Sequence, residues 1–144
     1  MGIPDNGVKD IHYIEEHVHN VAAVYPTLAA GVTVTSAETA WVEGDYAEII
    51  PASTGVTSEY DIHWINLEAE SSSGGAIYEL SLYAATTEIA RVRFATIDVP
   101  ATTIFHSFPV MTPVEPAGTQ IQAKLASSTT DADTLTISLS YHTY

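Results

Sequence analysis

The segment 134–144 alternates apolar and polar side chains without interruption. Its apolar positions are Leu135, Ile137, Leu139 and Tyr141, and its polar positions are Thr136, Ser138, Ser140 and His142. Since successive side chains of a strand point to opposite faces, this period of two predicts a strand with one buried and one solvated face. Strands of this kind need a second layer that covers their apolar face.

Shorter runs of the same character precede this segment, and Gly, Pro and Ser clusters separate them. They cover residues 31–36, 40–42, 46–50, 60–70, 77–84, 88–95, 104–111 and 119–126. Overlapping apolar parities near Trp64 indicate a bulge or burial on both faces. We predict an all-β fold, an antiparallel β-sandwich of jelly-roll type with about eight strands, and an immunoglobulin-like sandwich is the alternative.

A chain of 144 residues, 46% of them hydrophobic, is long enough for one domain with a substantial core. We place the β-sandwich domain in residues 31–144 and an extended N-terminal arm in residues 1–30. Within the arm, Ile11, Ile14 and Val18 have helical spacing, whereas Tyr13 and Val21 fit an extended segment equally well. Both conformations stay open for this part of the arm.

The charge balance is strongly acidic, with 18 acidic residues, 4 basic residues and a formal net charge of −14. Such a surface repels phosphate backbones, so we expect no nucleic-acid partner. The first ten residues do not resemble a signal peptide, and no apolar run approaches the ~18 residues of a membrane helix, so we expect no membrane partner. There is no cysteine, which excludes disulfides and thiolate metal sites.

The densest group of chemically active side chains lies in the arm, where His12, His17 and His19 surround Glu15 and Glu16. Imidazoles together with carboxylates suit zinc or nickel, but the His-Glu-x-x-His spacing of metalloproteases is absent. The favoured interpretation is that these histidines contact a neighbouring subunit or a docking surface. We therefore expect no cofactor and no metal.

Other candidate sites have simpler structural explanations. Asp61 and His63 share one side of a strand only if no bulge intervenes, and no Gly-x-Ser-x-Gly elbow supports a serine triad. Arg91 and Arg93 are expected to pair with acidic residues on an adjacent strand or subunit. Asp133, in the sequence Asp131-Ala-Asp133, resembles part of a calcium loop but fits a turn better, as does the segment Asp5-Asn6-Gly7.

Two further sets of residues suit carbohydrates. Carboxylate pairs for glycoside hydrolysis and an aromatic platform for sugar binding can both be drawn, but nothing in the spacing selects one carboxylate pair, and core packing is the more common fate of such aromatic residues. The carboxylates are Glu48, Glu59, Asp61, Glu68 and Glu70, and the aromatic residues are Trp41, Tyr46, Tyr60, Trp64 and Tyr83.

Three stretches together resemble small structural proteins of tailed-bacteriophage virions, especially those that decorate or cement the capsid. They are the arm, from Glu16-His-Val-His-Asn20 to Val24-Tyr-Pro-Thr-Leu28, the strand Tyr60-Asp-Ile-His-Trp64, and the end, from Ile121-Gln-Ala-Lys-Leu-Ala126 to Ser140-Tyr-His-Thr-Tyr144. The resemblance implies a β-sandwich, often trimeric, on the outer face of the capsid, with an arm that reaches along the lattice. It implies no catalytic residues.

The sequence thus predicts a non-enzymatic virion protein that decorates or cements the outer capsid surface and stabilises the head. Its expected partners are the major capsid protein and two further copies of itself in a homotrimer. The predicted contacts in the arm are His12, His17, His19, Tyr25 and Leu28. The alternatives are a tail- or neck-associated or carbohydrate-binding adhesin module on the same sandwich, and a metal-dependent enzyme built on the arm histidines.

Overall fold

The computed structural model describes residues 21–72, 75–96 and 106–144, which form strands connected by turns and loops. The strands are β1 (Val21–Tyr25), β2 (Val32–Thr35), β3 (Ala47–Ile50), β4 (Tyr60–Glu70), β5 (Ile77–Ala84), β6 (Thr87–Ala95), β7 (His106–Pro109), β8 (Ile121–Ser127) and β9 (Thr134–Thr143). The predicted all-β class is confirmed. In these three ranges we find no helix with the length and apolar character of a membrane span.

The strands form two sheets with the connectivity of a jelly roll. Sheet I has the order β1-β9-β4-β7, with β2 also paired to β9, and sheet II has the order β3-β8-β5-β6. The partners β2–β9, β3–β8, β4–β7 and β5–β6 are all antiparallel. This nested pairing is what results when one long antiparallel ribbon of eight strands folds over itself. The jelly-roll prediction is therefore confirmed, and β1 is a ninth strand in the described part of the chain.

The core lies between the two sheets and contains the apolar half of each alternating strand. In β9, Leu135, Ile137 and Leu139 are fully buried, as the period of two predicts. The neighbouring strand β4 contributes Ile62 and Leu67, which are also buried. Complete burial of such a side chain stabilises the fold by about 1.5–3 kcal/mol.

A bulge in β4 controls which side chains reach the outer face of sheet I. The register of β4 against β9 shifts between Ile62 and Trp64, so that both His63 and Trp64 lie outside the core while Ile62 and Ile65 lie inside it. The bulge predicted near Trp64 is confirmed. As a result, the outer face presents two successive large side chains at this point.

Two predicted segments differ from the structure. Residues 40–42 form a turn rather than a strand, because Trp41 has a positive φ of 62° and both it and Val42 are about half exposed, with no layer to cover them. In addition, residues 21–25 of the predicted arm form β1, which pairs with β9. The described part of the arm is therefore a strand of the sandwich up to Tyr25, and the body begins before residue 31.

The loop between β1 and β2 is held close to β9 at Gly31. A Cβ atom at this position would lie 2.5 Å from the carbonyl oxygen of Ile137 and 2.9 Å from Oε2 of Glu68. The Gly31 N–H donates to the same carboxylate oxygen at 2.8 Å. This approach requires glycine, and it fixes the position of the loop that carries Leu28.

Candidate functional site

The outer face of sheet I brings together ionisable side chains that are distant in the sequence. In the register of β4 against β9, Asp61 lies opposite His142. His63, two residues after Asp61, is the extra residue of the bulge and lies outside the core on the same face. The pairing of two strands therefore assembles a group of acidic and imidazole side chains that no single segment contains.

The side chains of this group are in direct contact. Nε2 of His63 lies 2.9 Å from Oδ1 of Asp61 and 3.2 Å from Nδ1 of His142. The two imidazole rings are 4.1 Å apart between centroids and tilted by 55°. We call Asp61, His63 and His142 the Asp–His–His cluster. The condition that Asp61 and His63 meet only without a bulge was wrong, because the bulge and the contact occur together.

Tyr144 supports the cluster from the end of β9. Its hydroxyl donates to Oδ2 of Asp61 at 2.8 Å. Burial and the hydrogen bond to Asp61 raise the pKa of Tyr144 to about 12, so the phenol keeps its proton at neutral pH. The Asp61 side chain is only 14% exposed, whereas the His63 side chain is 30% exposed, so the His63 imidazole is more accessible than the carboxylate.

A neutral polar network adjoins the cluster on sheet I. Nδ2 of Asn66 donates to Ser140 Oγ at 3.0 Å and to Ser138 Oγ at 3.4 Å, and Ser107 Oγ donates to Oδ1 of Asn66 at 2.8 Å. These bonds connect β4 to both of its neighbours. A shallow pocket between β1 and β4 is lined by Val24, His63, Trp64, Ser140 and His142, among others.

The outer face of sheet II carries an ionic network. The carboxylate of Glu79 accepts hydrogen bonds from Arg91 and Arg93, and Arg91 also donates to Glu88 at 2.7 Å. Glu79 lies opposite Arg93 on the adjacent strand, so the predicted pairing of the arginines is confirmed. Hydrogen bonds from Arg93 and Arg91 hold the pKa of Glu79 below its usual range.

Glu43 extends this network to the aromatic side chains. It accepts from Ser81 Oγ at 3.2 Å and from Tyr83 Oη at 3.3 Å, and it lies 3.7 Å from Lys124 Nζ. The Lys124 ammonium lies 4.5 Å from the centroid of the Tyr46 ring. The described charged side chains of this network are therefore paired within the chain.

The five aromatic residues considered as a platform for sugars do not form one surface. Trp41 and Tyr46 belong to the face of sheet II, where Arg93 lies 5.0 Å from the Trp41 ring centroid. Tyr60 is fully buried in the core, and Trp64 lies on the face of sheet I. The aromatic residues are thus divided between two opposite faces and the interior.

Three of the acidic residues considered for calcium or sugar chemistry, Asp133, Glu68 and Glu48, have separate structural partners. Asp133 is buried and accepts from Ser127 Oγ and Thr129 Oγ1, both at 2.5 Å, which favours the turn interpretation. Glu68 accepts from Gly31, and Glu48 accepts from Gln120. The segment Asp5-Asn6-Gly7 lies outside the described residues.

Two of the five predicted contact residues can be placed. Tyr25 ends β1 and packs partly buried against the core. Leu28 lies in the loop between β1 and β2 with a positive φ of 53°, and its side chain is fully exposed, at 103%. His12, His17 and His19 lie outside the described residues.

No protein family matches the chain, and no curated protein sequence matches it. Among solved structures, the chain is similar to the VP2 subviral particle protein of infectious bursal disease virus, with 18% identity over 88% of this chain and a TM-score of 0.41. It is also similar to the structure of the Gx strain of that virus, with 16% identity over 87% of the chain and a TM-score of 0.43. The chain spans 34% of the length of each of these proteins. A likeness of this extent carries no conclusion about function.

Proposed function

We propose that this chain is a non-enzymatic structural protein of a bacteriophage virion, which decorates or cements the outer surface of the capsid. Its partners are the major capsid protein and two further copies of itself. Leu28 is the observation that carries the proposal: a large apolar side chain stands fully in solvent on a loop that is fixed on both sides by strands of sheet I.

The presentation of Leu28 fits a docking contact because the loop is preorganised. β1 and β2 both pair with β9, and Gly31 holds the intervening loop against Ile137. A contact that is already ordered loses little conformational entropy on binding. Burial of Leu28 in a partner's pocket would contribute about 1.5–3 kcal/mol per subunit, and three subunits on one lattice site would add their contacts through multivalency.

The jelly-roll body agrees with this role. This architecture is common in viral capsid domains, although it also occurs in lectins and cupins. The ionic network of sheet II is satisfied within the chain, which leaves apolar loop contacts and the arm as the means of attachment. We assign His12, His17 and His19 to the same docking surface, together with Tyr25 and Leu28.

The test compares two exposed apolar side chains on opposite borders of sheet I. Leu28→Asn removes the apolar contact but keeps a residue that tolerates positive φ. Met111→Asn is the matched control, because Met111 is 92% exposed and follows β7 at the other border. We expect Leu28→Asn to bind capsid shells lacking this protein about 10–100-fold more weakly, and Met111→Asn to bind as the wild type does.

Equal binding by wild type and Leu28→Asn would contradict the assignment of Leu28. Imaging of the virion with the chain labelled tests its location, and a label on the tail or neck would contradict decoration of the capsid. The molar mass in solution tests the trimer, which should have three times the 15.4 kDa of the chain.

A second candidate function is a carbohydrate-binding adhesin module, which the half-exposed Trp41 and Tyr46 on sheet II favour. Against it, a cation of the chain already lies over each ring. A glycan array decides between the two functions. Binding that disappears in Trp41→Ala but survives in Leu28→Asn would support the adhesin.

A further inference from the structure

We propose that Asp61, His63 and His142 bind a divalent transition-metal ion of the zinc type, and that Tyr144 orients the carboxylate ligand. The site lies on the outer face of sheet I, and its ligands come from β4 and β9. It is independent of the proposed function, because a metal site is compatible with any role of the sandwich.

The spacing of the ligand atoms supports a tetrahedral ion. In a zinc site with bonds of about 2.0–2.1 Å, neighbouring ligand atoms are roughly 3.3 Å apart. The observed separations are 2.9 Å between Asp61 Oδ1 and His63 Nε2 and 3.2 Å between His63 Nε2 and His142 Nδ1. One ligand atom from each of the three residues can be chosen so that all lie within 4.8 Å of one another. Small rotations of the side chains would place all three around one ion.

The limited hydrogen-bonding capacity of His63 Nε2 also supports a metal ion. A ring nitrogen carries either one proton or one lone pair, so His63 Nε2 has one site with which to face two partners. Both Asp61 Oδ1 and His142 Nδ1 lie within hydrogen-bond distance of that nitrogen. One proton on His63 Nε2 can form a good hydrogen bond to only one of these two atoms. A metal cation, by contrast, can accept a lone pair from all three atoms at once.

The donor set selects the class of metal. Two imidazoles and one carboxylate suit Zn²⁺, Co²⁺ or Ni²⁺, whereas Ca²⁺ and Mg²⁺ prefer oxygen ligands only. The hydrogen bond from Tyr144 to Oδ2 of Asp61 is the kind of outer contact that fixes a ligating carboxylate.

Three protein ligands leave one position open. The cluster borders the pocket that also contains Val24, Trp64 and Ser140, and the His63 side chain is 30% exposed. The fourth ligand is therefore water or a group from a molecule that docks on sheet I.

The experiment uses the full chain after treatment with a chelator, titrated with Zn²⁺ by calorimetry and with Co²⁺ by visible absorption. We expect one ion per chain and an absorption spectrum typical of tetrahedral Co²⁺. His142→Gln and Asp61→Asn should weaken Zn²⁺ binding by more than about 100-fold, because removal of an outer contact alone costs about 10–100-fold. Tyr144→Phe should weaken it by about 10-fold.

Two controls separate this site from other histidines. His106→Gln alters an exposed histidine on β7 and should leave Zn²⁺ binding unchanged. The triple variant His12→Gln, His17→Gln and His19→Gln should also bind as the wild type does. Loss of binding in the triple variant with retention in His142→Gln would overturn the proposal, as would the absence of Zn²⁺ binding by the wild type.

A further measurement decides the matter if a cluster variant does not fold. In the triple arm variant three of the six histidines remain, and their imidazole nitrogen signals can be followed by nuclear magnetic resonance. We expect Zn²⁺ to shift the signals of two histidines and to leave the third unchanged. Fewer than two shifted histidines would overturn the proposal.

Discussion

Replacement of Gly31 by alanine tests how tightly the loop between β1 and β2 is held against β9. The new Cβ would lie 2.5 Å from the Ile137 carbonyl oxygen and 2.7 Å from its carbon, both of which are backbone atoms. Normal contact needs about 3.5 Å, so the loop or β9 must move by roughly 1 Å. Such a movement also stretches the hydrogen bond from Gly31 N–H to Glu68.

We expect Gly31→Ala to lower the free energy of unfolding by about 2–3 kcal/mol. The value follows from the middle of each range: overpacking costs about 1–3 kcal/mol, a weakened hydrogen bond to a carboxylate costs about 1 kcal/mol more, and the lower entropy of the unfolded alanine chain offsets about 0.4–1 kcal/mol. Urea unfolding measures the change, and the melting temperature should fall by roughly 6–12 °C.

The control for this substitution is Glu68→Gln, which keeps an acceptor for the Gly31 N–H and introduces no clash. It should cost less than about 1 kcal/mol. If Gly31→Ala unfolds within about 0.5 kcal/mol of the wild type, the close approach of the loop to β9 is refuted.

Three further predictions concern other parts of the sandwich. Because the arginines lower the pKa of Glu79, the ionised carboxylate stabilises the fold above the unfolded pKa near 4.5, and this stabilisation is lost as the pH falls through the lower folded pKa. Between pH 7 and pH 3, the free energy of unfolding of the wild type, measured in urea, should therefore fall by about 1 kcal/mol more than that of Glu79→Gln. Equal losses in the two proteins would contradict the pairing. Asp133→Ala should lower the free energy of unfolding by about 2–3 kcal/mol, because it leaves the Ser127 and Thr129 hydroxyls without their buried acceptor. The control is Asp131→Ala on the exposed side of the same loop, whose free energy of unfolding should lie within about 0.5 kcal/mol of the wild type. Ile137→Ala should cost about 2–5 kcal/mol by thermal unfolding, since its side chain is fully buried, and a smaller loss would indicate a core that collapses around the gap.

The sequence was sufficient to predict the strands where one face is buried. The bounds of β4 and β5 agree with the predicted segments, because alternate apolar side chains of both strands, such as Leu67 and Leu80, are buried between the sheets. The pattern failed at residues 40–42, where Trp41 and Val42 are apolar but lie outside the core. Local hydrophobicity does not distinguish a buried strand from an exposed apolar turn.

The Asp–His–His cluster shows what one sequence does not contain. Asp61 and His63 were recognised as neighbours, and His142 was correctly placed among the polar positions of β9. The missing quantity was the register between β4 and β9, which sets Asp61 opposite His142 across 81 positions of sequence. With that register, the outward parity of both strands would have indicated the cluster.

The arrangement of strand borders has a consequence for concentrated preparations of the protein. Among the described strands, β2, β3 and β7 have four residues each, whereas β6 has nine and pairs with β5 alone. Unpaired backbone groups on a long border can recruit a strand from another molecule. β6 is therefore where we expect fibril growth to start, and acid should slow it, because protonation of the carboxylates leaves the positive charges of Arg91 and Arg93 to repel a second copy of the strand.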